Sequence, residues 1–205
     1  MHHLLKRHLL FSCIVTLPAV AQLQPDVVNQ TAATAEIRLR FASFDPLIGT
    51  PEISSVLQST NEQGLWIVQF YKTPSASDRQ AISGIGGQII GYLPDNAYVV
   101  RMNAAAASRA RGSLSVRWVG SYEVAYRIDP ELLQQQVYLN DDAVRYNMVV
   151  ADKHSDKPAL IAKILTMGGR VESEHSGSIL IEATLTGPQL LMVAGCNEVL
   201  WIDRW

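Results

Sequence analysis

The sequence is poor in the residues that do chemistry. It holds 5 histidines and 2 cysteines in 205 residues. His2, His3 and His8 fall in the extreme N-terminal stretch, which leaves His154 and His175 for the rest of the chain. A serine triad needs Ser, His and a carboxylate brought together, and a zinc site needs several His, Cys or carboxylate ligands. His154, Ser155 and Asp156 are neighbours in a polar loop ahead of a helix, where Ser and Asp act as cap residues. His175 lies in a hairpin turn near Glu172 and Glu174, without a convincing ligand set. No Gly-x-Ser-x-Gly elbow occurs. Gly84-Ile85-Gly86-Gly87 closes a helix where a phosphate loop would open one. The expectation is a chain with no catalytic, cofactor-binding or metal-binding residues.

Charge is also scarce. Charged residues make up 18% and the formal net charge is -2, so there is no basic excess to suit a nucleic-acid partner. Arg101, Arg109, Arg111 and Arg117 are close in sequence and could meet an acidic surface. A scattered, solvated set of arginines is the commoner meaning of such a pattern. Hydrophobic residues reach 48%, which calls for a packed core and few disordered tracts.

One apolar run has targeting character. Lys6 and Arg7 precede the apolar stretch Leu9–Val20, and Ala19-Val20-Ala21 is a small-x-small cleavage site. Residues 1–21 read as a secretory signal peptide, with Leu9–Val20 too short to span a bilayer well. A lipoprotein signal ending at Cys13 is the rival, disfavoured by a very short apolar region and bulky Phe11. The mature chain is expected to be secreted, periplasmic or extracellular, with no membrane association after cleavage. Cleavage would leave Cys196 alone, so no internal disulfide is expected. An odd cysteine can pair between chains or stay free, and a buried small apolar residue is the reading preferred for Cys196.

What the sequence does have is organised order, twice over. After a leader (22–63), the stretch 64–128 runs strand, helix, two strands about a tight turn, helix, strand. Leu65–Phe70 is aromatic and β-branched. Thr73, Pro74 or Ser75 starts a helix that Gly84, Gly86 and Gly87 end. Gln88–Leu93 and Ala97–Met102 flank Pro94-Asp95-Asn96. Asn103 caps an Ala-rich helix, and Leu114–Tyr122 is the last strand. A connector (129–144) follows, with Pro130–Gln136 able to start a short helix. Residues 145–205 repeat the order more weakly, with Leu160, Ile161, Ile164 and Leu165 at helical spacing. Trp118 pairs with Trp201, and Gly86-Gly87 with Gly168-Gly169, at similar offsets, which points to duplication. Trp66, Trp118 and Trp201 are expected in the core. The β-α-β-β-α-β order predicts an α+β fold of two tandem ferredoxin-like units, each an antiparallel sheet with both helices on one face. Strands 1 and 3 of each unit should be central. The other sheet face then needs cover from the leader, the sister unit or a partner.

Three stretches carry a family resemblance: Leu65–Phe70, Gly91-Tyr92-Leu93-Pro94-Asp95-Asn96-Ala97-Tyr98-Val99-Val100-Arg101, and Val116-Arg117-Trp118-Val119-Gly120-Ser121-Tyr122. They resemble the N-terminal prodomain of secreted bacterial subtilisin-like serine proteases (subtilases). Phe44–Gly49 and Val199–Ile202 look like the long, two-unit type. The resemblance implies a ferredoxin-like module that templates folding of the protease and inhibits it until removed. It also implies a subtilisin-like serine protease as partner, in cis or in trans. The sequence departs from the family in lacking the catalytic domain, and its last strand runs to Trp205. The exit segment of the first unit, Tyr122-Glu123-Val124-Ala125-Tyr126, is therefore the candidate protease-contacting segment. An extracellular protein-interaction module and a remnant of a truncated subtilase gene are the alternatives.

Overall fold

The computed structural model describes residues 35–60 and 63–205, and these belong to one compact unit. The expected signal peptide lies outside the described residues. The described part of the leader holds β1 (Ile37–Arg38) and β2 (Ser43–Phe44), paired antiparallel. The alternating stretch Ile37–Phe41 is a strand over two residues only. The chain turns back after it, with the Leu39 N–H donating to the Ala42 carbonyl at 3.0 Å. A 3-10 turn follows at Ser55–Leu57.

The first half comprises β3 (Gln63–Phe70), α1 (Ala76–Gly84), β4 (Gln88–Leu93), β5 (Ala97–Asn103), α2 (Ala104–Arg111) and β6 (Val116–Ser121). Its four strands lie in the order β4-β5-β3-β6, all neighbours antiparallel. Local chemistry explains the breaks. Ser75 and Asp78 form a reciprocal capping box at the start of α1. Asp95 and Asn96 both take positive φ, 62° and 65°, in the three-residue turn Pro94-Asp95-Asn96 between the paired Leu93 and Ala97. The Asn103 side chain accepts from the Ala106 N–H at 2.8 Å and caps α2.

The second half follows the connector, which folds into α3 (Pro130–Gln134) and a 3-10 turn at Val137–Leu139. It comprises β7 (Val144–Val150), α4 (Asp156–Thr166), β8 (Arg170–Ser173), β9 (Leu180–Leu185), α5 (Gly187–Ala194) and β10 (Val199–Arg204). The strand order is β10-β7-β9-β8, again antiparallel throughout. In both halves the first and third strands are central.

The halves agree in detail. Gly86 (φ 90°) and Gly168 (φ 81°) end α1 and α4 in the left-handed region that favours glycine. The next glycine then folds back: Gly87 N–H donates to Ile82 O at 3.0 Å, and Gly169 N–H to Ile164 O at 2.9 Å. Each edge strand also carries one register shift. Those on β6 and β10 fall just before Trp118 and Trp201. Those on β4 and β8 fall between Ile89 and Gly91 and between Val171 and Ser173.

Alternation divides each sheet into two faces. On the first, Trp66, Val68, Phe70, Val100 and Met102 meet Ile82 of α1 and the alanines of α2. The opposite face, with Leu65, Ile67, Ala97 and Val99, is covered by Ile37 and Leu57 of the leader. It is continuous with the core of the second half, where Tyr146, Met148, Val150, Ile181, Ala183 and Leu185 pack on Leu160, Ile164, Leu190 and Val193. Gln69 is buried on that covered face. Its amide donates to the Ala35, Glu36 and Asp95 carbonyls, and its carbonyl accepts from Arg117, which also pairs with Asp45. The leader is thus hydrogen-bonded onto the sheet at Ala35, Glu36 and Asp45. Trp66 is buried, as expected. Trp118 and Trp201 are only half-buried, because each follows a bulge at the sheet edge. Leu165, expected on the apolar face of α4, is 57% exposed.

Candidate docking surface

The second sheet presents what the first has covered. On the face opposite α4 and α5 it carries Arg145, Asn147 and Val149 from β7, Glu182 and Thr184 from β9, and Trp201 and Asp203 from β10, as alternation and register require. Most are half-buried, and this face is polar where its counterpart on the first sheet is apolar. Its charges are ordered. The Glu182 carboxylate is shared between Arg145 and the His175 ring. Burial pushes the Glu182 carboxyl up, but its bonds to Arg145 and His175 outweigh this and hold it below the ordinary range. Thr184 Oγ1 donates to Glu172, whose carboxyl that bond holds low, and Arg170 pairs with the same carboxylate at 2.7 Å. Arg145 lies 4.0 Å from the ring centre of Trp205, and Arg40 of the leader 4.7 Å from that of Trp201. The surface therefore offers paired charges beside flat indole rings.

His175 is an exposed residue of the β8–β9 turn, the position read from the sequence; the partner of its ring is Glu182, across the hairpin, and its backbone is left-handed (φ 43°). His154 is exposed, and only its backbone N–H joins a network. Asp152 accepts from the His154 and Ser155 N–H groups and from Ser155 Oγ. The cap at this loop is thus Asp152, while Asp156 is buried and pairs with Arg101 at 2.7 Å. No group of three or more His, Cys, Asp or Glu able to hold a metal occurs among the described residues. Among them, no helix is long and apolar enough to cross a membrane.

The segment Tyr122-Glu123-Val124-Ala125-Tyr126, read from the sequence as the candidate protease-contacting segment, is largely internal. Val124–Arg127 is a 3-10 turn, and Tyr122, Val124, Ala125 and Tyr126 are all buried. The physical reason is Arg127, fully buried just beyond them. Its guanidinium donates to the Tyr122, Ala194 and Cys196 carbonyls and to Ser59 Oγ. Burial pulls its pKa down to about 10. Ser59 in turn donates its N–H to Glu123 and its hydroxyl to Tyr122 O. Leader, first half and second half meet at this one side chain. Contact with an outside protein through this segment would first require it to unfold. Burial pushes the Tyr122 and Tyr126 hydroxyls up to about 12. Sequence reasoning missed Arg127, although one arginine inside the apolar run from Val124 to Ile128 was a visible signal.

The arginine cluster disperses. Arg101 ties β5 to Asp156 and the Asn197 carbonyl, Arg117 binds Asp45 and Gln69, Arg109 caps Ile85 O, and Arg111 bonds Val119 O. Cys196 is a free, half-buried thiol whose Sγ donates to Met192 O, and burial pushes its pKa up.

The family model of a domain of unknown function (DUF8729) matches residues 38–123, from β1 into the Tyr122–Tyr126 segment. That span takes in the leader ribbon together with the whole first sheet. No curated protein matches the sequence.

Proposed function

We propose that this chain is a secreted, prodomain-like module that assists folding of a subtilisin-like serine protease and inhibits it, without catalytic residues of its own. On this reading each half is a ferredoxin-like unit and the two stand in tandem. The strand orders support it, since both place the fourth strand beside the first and the first beside the third, with two helices on one face. The shared glycine caps and edge bulges support duplication. The observation that carries a docking role is the contrast between the two sheets: the first has its non-helical face buried by the leader and its neighbour, while the second keeps a polar, half-buried one. Such a face suits helices of a folded protease. A binder selective for the folded state stabilises it by about 4 kcal/mol at a thousandfold excess over its dissociation constant, which is how a detached module would drive folding.

The test is refolding of a denatured subtilase with and without residues 22–205, followed by peptide hydrolysis. A higher folded yield and suppressed hydrolysis are expected, and no change in either would sink the proposal. Burial of the Tyr122–Tyr126 segment favours a second reading, an extracellular protein-interaction module with no protease target. A pull-down from producing cells that recovers a partner but never a protease would select it.

A further inference from the structure

The outer edges of β6 and β10 are equivalent positions with different neighbours. In an antiparallel ladder, alternate residues turn both N–H and C=O toward the partner strand and the rest turn them away. The Tyr122 N–H donates to Leu65 O, so Gly120 and Trp118, in register with Ile67 and Gln69, point toward β3. Val119 and Ser121 therefore point outward. The same counting on β10, where the Trp205 N–H donates to Arg145 O, turns Ile202 outward. There the chain lays one extended residue of its own, Ile128, along the edge as an isolated bridge. Ile128 bridges Ile202 in parallel, and the Asp129 N–H donates to Ile202 O at 2.9 Å. The corresponding carbonyl on β6, that of Val119, receives the Arg111 Nε at 3.3 Å, a side chain in place of a strand.

The ground beside this edge is already hollow. Cavities of about 270 and 410 Å³ adjoin β6 and are lined in succession by residues 116–121; Trp118 and Arg111 border both. The Trp118 ring leans along the strand over Gly120, where a Cβ would come within 2.1 Å of it. A side chain at 120 would displace the ring, so the glycine keeps an indole wall in the groove. Glu123, at the far end of the larger cavity, is already engaged by the Ser59 N–H. Arg111 is exposed and carries the positive charge at the groove.

We infer that the β6 edge is a peptide-binding site that takes an extended segment as a fifth strand. The occupant is an acidic peptide: one side chain places its carboxylate on Arg111, and the next, on the opposite face of the added strand, lies against Trp118. Main-chain bonds to the Val119 N–H and to the N–H and carbonyl of Ser121 supply affinity, while Arg111 keeps its Nε on Val119 O and turns its terminal N–H groups to the peptide carboxylate; the two side-chain contacts supply selectivity. This site goes beyond the proposed protease docking, which uses the other half of the molecule, and stands whether or not a protease is the partner.

The experiment uses residues 22–205 and two displayed libraries of peptides about eight residues long, long enough for one strand. One library fixes Glu at the centre and the other fixes Lys. Enrichment from the Glu library alone is expected, with selected peptides slowing amide exchange at Val119 and Ser121. Arg111→Glu should weaken them about tenfold or more, the loss of one charge-assisted contact. Ser121→Pro, which removes an outward N–H and leaves the β3 ladder intact, should weaken them independently of charge. Equal enrichment from both libraries would overturn the assignment, as would protection of the β4 edge instead, or undiminished binding to both variants.

Discussion

Replacing Arg127 by Met should unlock the molecule. Methionine fills similar volume without donors. The Tyr122, Ala194 and Cys196 carbonyls would lose their guanidinium partner. Tyr122 O keeps the Ser59 hydroxyl and Cys196 O keeps the Val199 N–H, so only Ala194 O loses its one donor; but a hydrogen bond to a charged donor contributes about 1.5–3 kcal/mol, so losing the guanidinium's bonds to all three carbonyls costs about 6 kcal/mol. Against this, the buried charge is removed. The lowering of its pKa to about 10 corresponds to about 3 kcal/mol of net cost of the buried charge that methionine does not incur. The net expectation is a loss of about 3 kcal/mol, a large part of the stability of a domain this size. Urea unfolding followed by tryptophan fluorescence and far-UV circular dichroism reads it directly. Because Arg127 joins the leader to both halves, the variant should also unfold less cooperatively, with a lower m-value. A loss below about 1 kcal/mol with an unchanged m-value would refute the view of Arg127 as the tie between the three segments.

Other expectations follow from the same geometry. Gly87→Ala places a Cβ 2.7 Å from Ile82 Cγ2 and 2.9 Å from Ile82 O, and Gly169→Ala one 2.5 Å from Leu185 Cδ2; each should cost about 1–3 kcal/mol by thermal melting. Gly86→Ala and Gly168→Ala meet open space or ordinary contact but keep a left-handed φ, so about 1 kcal/mol each is expected. Glu182 has a folded pKa below its unfolded one, so the stability it contributes is present above the ordinary carboxylate range and lost as pH falls through the folded value. Glu182→Gln should flatten that part of the acid-unfolding curve. Cys196, with its pKa raised by burial, should react with a thiol reagent more slowly than a free cysteine at pH 8 and approach it after unfolding.

Most element positions were legible because their signals are local. The strand Leu65–Phe70, the Asp95-Asn96 hairpin, the Asn103 cap and the glycine pairs each depend on residues within a few positions. What escaped reading depends on distant partners. The half-burial of Trp118 and Trp201 comes from bulges fixed by register with β3 and β7. The burial of Tyr122–Tyr126 comes from carbonyls of α5 and from Ser59, far away in sequence. The aim of His175 at Glu182 requires the hairpin to close. The candidate surface was legible as a need, since a four-stranded sheet with helices on one side has a second face to fill. Which of the two faces stays open was not, because that depends on where the leader docks.

The most direct test of the proposed role is inhibition of a purified subtilase by residues 22–205, wild type and a variant with Arg145→Ala, Asn147→Ala and Trp201→Ala on the second sheet. The account predicts saturable inhibition by the wild-type protein and, in a variant that still melts cooperatively, a loss of at least about tenfold in affinity. Absence of inhibition by the wild-type protein, or equal inhibition by both proteins, would contradict it.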